Sequence, residues 1–256
     1  MKTVAVRYFG ETVNLPDLSQ YRKFYRKLES GNWEPHTFRV LGEYLNRQTT
    51  YIDVGGWIGV TPFWASRRAK QVIVIEPDPQ CRAILRDLSS SYPNVILFDG
   101  ALSPSPSVRI NAIDGFGSSE TTALDLASGD SLEVPGISVE TIMRDISREQ
   151  IFVKIDIEGY EYRILPEIAR FADYQLRGLQ CALHPALYER SLRGKLPARR
   201  MRTLLTTAKI AWLRRDLSAA PLGAKYTSIF SYLLFGVLFR AVPRGTDLIL
   251  TPQAGS

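Results

Sequence analysis

Two acidic residues, each followed by a different kind of turn, give the first chemical signal. Asp53 opens Asp53-Val54-Gly55-Gly56-Trp57-Ile58-Gly59, an acid followed by a glycine-rich loop. Gly55, Gly56 and Gly59 let the backbone turn sharply and approach a ligand, and the loop amides with the helix start behind them form a positive pole. A pyrophosphate loop reads G-x-G-x-x-G, and Val54 stands where its first glycine belongs. An acid at that point repels pyrophosphate and suits an ammonium group instead. Glu76 follows the apolar run QVIVI. Its distance from the loop, about 20 residues, is the spacing at which a carboxylate reaches ribose hydroxyls. Asp99, after NVILF, is placed to flank a base.

A second group could handle a proton. Asp156 ends IFVKID, Glu158 and Glu161 follow it, and His184 ends GLQCAL. Histidine titrates near neutrality, so His184 is the candidate general base, or a residue that orients the acceptor, with Asp156 beside it. Asp156 with Glu158 or His184 would offer Mg2+ a hard-ligand set. Only Asp156 clearly occupies the right tip, however, so no metal ligand is assigned. Lys154 lies inside an apolar strand and calls for an acidic partner.

These residues need a scaffold that brings strand ends together. Tyr51–Val54, Gln71–Ile75, Asn94–Phe98, Ile151–Asp156 and Gly178–Leu183 read as short apolar strands. Helical patterns run from Gly59 to Arg68, Asp78 to Ser89 and Tyr160 to Phe171. That alternation predicts a parallel sheet covered on both faces, with ligands beyond the carboxyl ends of its strands. Residues 1–48 read as a lead-in packed on the core: a hairpin around Gly10-Glu11, a helix near Leu18 to Leu28, and another starting at Pro35. Residues 49–256 form the ligand-binding domain, with a basic C-terminal helical region. Between Ala101 and Ile146 the pattern is weak and reads as loops.

The segments YIDVGGWIG, VIVIEPDP, GALSPS and FVKIDIEGYEYRIL resemble the FkbM family of S-adenosylmethionine-dependent methyltransferases, over roughly Thr49 to Pro185. The resemblance implies a class I methyltransferase fold: Rossmann-like, doubly wound, with a mostly parallel seven-stranded sheet that has one antiparallel strand. It further implies S-adenosylmethionine as cofactor and O-methylation of a hydroxyl on a sugar, glycan or natural product. Asp53, Gly55, Gly56, Trp57, Gly59, Glu76 and Asp99 would then bind the cofactor. The commoner loop of the family is D-V-G-A-N-x-G; here Gly56-Trp57 replaces its middle, and Trp57 would pack beside the cofactor or narrow its site. Two other readings stay open. One is a binding protein on a decayed methyltransferase scaffold. The other is an NAD-dependent oxidoreductase, which Glu76 permits and the missing glycine disfavours.

Composition sets the remaining bounds. Of 256 residues, 45% are hydrophobic and 23% charged, an ordinary balance for a chain with a buried core. Cys81 and Cys181 form no close pair, which points to a reducing, cytoplasmic setting without zinc or disulfides. No signal peptide is expected, since Met1–Val6 has no long apolar run. The net charge of +6 is concentrated in Arg190–Arg215, with nine basic residues and no acidic one. Aromatic residues do not interleave with it before Trp212, so no nucleic-acid partner is expected and a solvated helix face explains it. The apolar run Ile229–Val242 is too short to span a membrane. Together the two segments would suit peripheral contact with a membrane. The expected partner is a small-molecule or saccharide acceptor.

Overall fold

The computed structural model describes residues 1–112, 115–119, 121–125, 130–193, 201–202, 205–206, 222–224 and 246–252. Most of the basic Arg190–Arg215 block and all of Ile229–Val242 lie outside the described residues.

The chain opens with a hairpin of β1 (Thr3–Tyr8) and β2 (Glu11–Pro16), in which Tyr8 faces Glu11. The turn is therefore Phe9-Gly10, one residue earlier than the sequence suggests. Both residues have positive φ, 44° and 85°, as in the two-residue turns whose twist matches a hairpin. A 3-10 turn (Ser19–Tyr21), α1 (Arg22–Glu29) and α2 (Pro35–Tyr44) complete the lead-in. Then strands and helices alternate: β3 (Thr49–Val54), α3 (Val60–Ser66), β4 (Gln71–Glu76), α4 (Pro79–Ser89) and β5 (Val95–Asp99). After four short strands, β6 (Ala101–Leu102), β7 (Ser107–Ala112), β8 (Thr121–Thr122) and β9 (Asp130–Ile137), the alternation resumes. It continues with α5 (Val139–Met143), β10 (Gln150–Ile155), α6 (Leu165–Ala169), β11 (Leu176–Leu183) and α7 (Pro185–Ser191). Strands β12 (Leu222–Ala224) and β13 (Thr246–Pro252) close the sheet.

The main sheet has seven strands in the order β12-β13-β11-β10-β3-β4-β5. Neighbours from β11 to β5 are parallel, and β13 runs antiparallel to both β11 and β12. This is the Rossmann-like class I methyltransferase fold. The strand order reverses beside β3, where the chain steps outward to β4 and β5 and later returns on the other side with β10 and β11. The crevice at a ligand-binding edge therefore lies at the carboxyl ends of β3, β4 and β10.

Alternate residues of these strands feed two cores. Ile52, Val54, Ile73, Ile75, Ile151, Val153 and Ile155 pack against α5, α6 and α7. Tyr51, Val72, Val74 and Phe152 face the other way, into a core shared with α2, α3, α4 and the hairpin's Val6, Tyr8, Val13 and Leu15. Each such side chain contributes about 1.5–3 kcal/mol by leaving water, which fixes strand register, because a one-residue slip would exchange the two faces.

Two further expectations are corrected. The pattern from Tyr160 to Phe171 is broken into a 3-10 turn (Tyr160–Tyr162), α6 and a second 3-10 turn (Arg170–Asp173). Pro166 has no N–H to give and its ring would strike the carbonyl four residues earlier, so a continuous helix cannot form. The weak region after Ala101 is also more than loops: β6-β9-β7-β8 form a small second sheet. Among the described residues, no helix is long and apolar enough to cross a membrane.

Candidate active site

The loop after β3 is shaped by what surrounds it. Gly55 has φ 93°, and a Cβ there would collide with the backbone oxygen of Asp156. At Gly56 a Cβ would strike Val74, and at Gly59 it would strike the Phe63 ring. The glycines thus serve close packing against the tip of β10, against β4 and against α3. Trp57 adopts φ 46°, uncommon for a bulky residue. Its ring meets Tyr21 and Phe24 edge-on at 5.8 and 5.0 Å, so it is tied to the lead-in.

Glu76, at the end of β4, is 4% exposed. It accepts the Trp57 N–H on Oε2 and the Asp78 N–H on Oε1, both at 2.8 Å. Burial nevertheless pushes its carboxyl up to about 8. The carboxylate belongs to the wall of a narrow cleft lined also by Ile75, Pro77, Ala101, Leu102, Ile110 and Tyr160. The cleft encloses about 50 Å3, well short of the roughly 300 Å3 at which small-molecule sites begin.

Ser118, Ser119 and Thr121 also line the cleft, and the segment around Gly117 that carries them is held by several side chains. Asp78 caps α4 through the Gln80 and Cys81 amides with one oxygen. With the other it accepts the Gly117 N–H at 2.7 Å and the Thr121 hydroxyl at 2.9 Å. Tyr21 Oη and Trp57 Nε1 both donate to the Gly117 carbonyl, at 3.1 and 3.4 Å.

A larger cavity, about 500 Å3, adjoins the cleft. Both are bordered by Gly55, Trp57, Ser119, Asp156 and Glu158. The larger is also walled by Gln20, Lys23, Phe24 and Lys27 of the lead-in, with Trp33 and Glu34.

Charged groups gather at the junction. Lys154, 4% exposed, donates to Asp156 at 3.0 Å and lies 3.8 Å from the fully buried Asp53. Burial works against its charge, but Asp156 and Asp53 outweigh it and hold the ammonium protonated. Burial likewise opposes charge on Asp156, while Lys154 and His184 keep it a carboxylate. His184 Nε2 lies 3.6 Å from Asp156 and 3.5 Å from Glu158, and its Nδ1 lies 3.6 Å from Glu161. Burial disfavours the imidazolium, but Glu161, Glu158 and Asp156 together raise His184 to about 9, so it is cationic at neutral pH. Glu161, wholly buried, accepts the Gly159 N–H at 2.8 Å and the His184 N–H at 2.7 Å. It therefore ties the tip of β10 to the tip of β11. Asp156, Glu158 and His184 can each direct one ligand atom to a common point, all within 4.8 Å of one another.

Among the residues singled out from sequence, Gly55, Gly56, Trp57, Glu76, Asp156 and Glu158 border the cavities, and His184 closes on the last two. Asp53 does not reach either cavity wall; it is spent on Lys154 and on the Thr61 hydroxyl, which donates to it. Asp99 points away, to an ion pair with Arg86 on α4. Ala101 and Leu102, just after it, line the cleft instead. Gly59 lies behind the loop against Phe63. Sequence reasoning marks Ser119 only as part of a polar loop at the ligand edge, and it does not find Thr121 or the lead-in face of Gln20, Lys23, Phe24 and Lys27, because no local motif marks a residue brought in by the lead-in or by the small second sheet.

No protein-family model and no curated protein matches the chain. Among solved structures it is similar to a putative methyltransferase from Streptococcus mutans in complex with SAH, at 10% identity and TM-score 0.48, covering 85% of this chain and 96% of that one. It is also similar to the Methanococcus jannaschii fibrillarin pre-rRNA processing protein, at 12% identity and TM-score 0.44, covering 83% of this chain and 70% of the other. An rRNA methylase from Streptococcus thermophilus matches at 11% identity and TM-score 0.44, over 85% and 95% of the two chains. Likenesses this distant bear on fold alone, and the strand order carries that conclusion here.

Proposed function

We propose that the chain is an S-adenosylmethionine-dependent methyltransferase that methylates a hydroxyl of a saccharide or another small molecule. The observation that carries this reading is the position of Glu76. It is a buried carboxylate at the end of the second strand outward from the reversal point, facing a cleft with apolar walls. The donor set suits the cofactor: Glu76 accepts from a ribose diol, and Pro77, Ala101, Leu102 and Ile110 face a base. The nucleoside needs more room than the cleft encloses, so entry requires the Gly117 segment to swing outward. The FkbM resemblance supports a hydroxyl acceptor.

Bound S-adenosylmethionine supplies an electrophilic methyl group. The chain's own part is to hold an acceptor oxygen in line and to receive its proton. A cationic His184 cannot receive it. The base role expected for His184 passes to Asp156, with Glu158 beside it, and His184 serves as a fixed cation that stabilises charge developing on the oxygen. Lys154 keeps Asp156 ionised and oriented. A metal-assisted variant is favoured by one observation, the convergence of Asp156, Glu158 and His184; unchanged turnover in excess chelator removes it.

Calorimetric titration with S-adenosylmethionine, S-adenosylhomocysteine and NAD, repeated on Glu76→Ala, tests the cofactor. Binding of the two sulfur ligands, lost in the variant, is the expected result. NAD binding alone would show an oxidoreductase, and no binding by the folded protein would show a decayed scaffold.

A further inference from the structure

The larger cavity has a polarity of its own. Its acids, Glu34, Asp156 and Glu158, share the wall with the nearly buried Lys154. Its other basic residues, Lys23 and Lys27, lie on α1 and are exposed. Gln20, Lys23, Phe24 and Lys27 follow one another at helical spacing, so one face of the lead-in lines the cavity. Neither Lys23 nor Lys27 has an acidic partner among the described residues. Arg22, on the same helix, pairs with Asp17 at 3.2 Å. Between the two ends stand flat apolar surfaces. Phe24 meets Trp33 and Trp57 edge-on at 5.2 and 5.0 Å, and all three rings line the cavity.

We propose that this cavity seats a ring-bearing acceptor that carries an anionic group, phosphoryl or carboxylate, held at the rim by Lys23 and Lys27. This identifies the substrate class of the methyltransferase reading and rests on that reading for the events at the floor. Lysines four apart on a helix lie about 5–6 Å from each other at Cβ, and their flexible stems converge on one anion as point charges. The floor carries three carboxylates, and its two cations, Lys154 and His184, are already engaged by Asp156 and Glu158, so the two lysines at the rim are the better seat for the anion. The two ends thus fix the acceptor's direction: anion outward, hydroxyl inward toward Asp156, ring against Trp33 and Trp57. A neutral acceptor would leave both lysines unused and could enter either way round.

The fluorescence of Trp33 and Trp57 reports occupancy directly. Phenyl phosphate, benzoate and phenyl β-glucoside are the probes: ring with phosphoryl, ring with carboxylate, and ring without charge. Both anions should quench saturably, and the glucoside should bind at least ~10-fold more weakly. The Lys23→Ala/Lys27→Ala double variant should lose at least ~10-fold in anion affinity, whereas Arg26→Ala, outside the cavity, should not change it. The order of phenyl phosphate and benzoate identifies which anion fits. Equal binding of the glucoside, or full anion affinity in the lysine variant, overturns the proposal. Tighter binding of an oligoribonucleotide than of either anion overturns it in favour of a nucleic acid. Calorimetry with S-adenosylhomocysteine separates the two claims. If it binds and the anions do not, the acceptor class falls alone. If the anions bind and it does not, the rim site stands and the methyltransferase reading falls.

Discussion

Glu76→Gln should change the stability of the ligand-free protein in a pH-dependent way. In the unfolded chain this carboxyl releases its proton at 4.5; in the fold, burial holds the proton until about 8. Between those values the native state binds more protons than the unfolded state, so native stability must fall as pH rises. At 1.36 kcal/mol per pH unit, the interval amounts to roughly 5 kcal/mol of destabilisation accumulated by pH 8. Glutamine does not titrate and escapes this loss. It has a cost of its own: the two carboxylate oxygens each accept a backbone N–H, and an amide can accept only one of them. Turning its NH2 toward the other costs about 1–3 kcal/mol at every pH. The variant should therefore be less stable than the parent near pH 5 and more stable near pH 8. Urea denaturation of both proteins at several pH values between 5 and 8 measures the difference directly. Parallel stability curves would refute the idea that a buried, ionisable Glu76 is held at the cleft wall. Binding of S-adenosylhomocysteine offers a second readout. If ribose hydroxyls donate to the carboxylate, binding below pH 8 releases a proton, visible as a dependence of the binding enthalpy on the buffer's ionisation heat and absent in the variant.

Three further outcomes are expected. Lys154→Met strands the fully buried Asp53 and also deprives Asp156 of its partner. It should cost about 3–5 kcal/mol in urea denaturation, and a loss below about 1 kcal/mol would remove the claim that this lysine organises the junction. His184 titrates at about 9 in the fold against 6.5 unfolded, so its charge adds stability that is fully present below 6.5 and lost as pH rises through about 9. The total is on the order of 3 kcal/mol, and His184→Gln should flatten stability across that window. Asp78→Ala removes the α4 cap and both contacts to the Gly117 segment. It should lower stability by about 1 kcal/mol and speed hydrogen exchange of the Gly117 amide, whereas an unchanged exchange rate would mean that Asp78 does not hold the cleft shut.

What could be read from the sequence was what depends on neighbours in the chain. The apolar runs QVIVI and FVKI are strands buried on both faces, and such strands reveal themselves by composition alone. The acid after each run is likewise a local feature, which is why Glu76 and Asp156 were found. Their roles were harder to read because they depend on which partner arrives from elsewhere. Asp53 and Glu76 have the same local setting, an acid near the end of an apolar strand. The difference is that Lys154, brought alongside by the pairing of β10 with β3, captures Asp53. From its ordinary titration range His184 reads as a base or a residue that orients the acceptor. Three carboxylates from the tip of β10 change that range, and their approach depends on Glu161 tying two strand tips through backbone amides. Short-range pattern also failed between Ala101 and Ile146, where strands of two to eight residues pair across long separations. There the pairing makes the strands, and that small sheet supplies Ala101, Leu102 and Ile110 to the cleft. The groups that line the two cavities thus come in large part from where sequence pattern is weakest: the lead-in and the second sheet bring polar and aromatic groups to a sheet edge whose own residues carry the local signal.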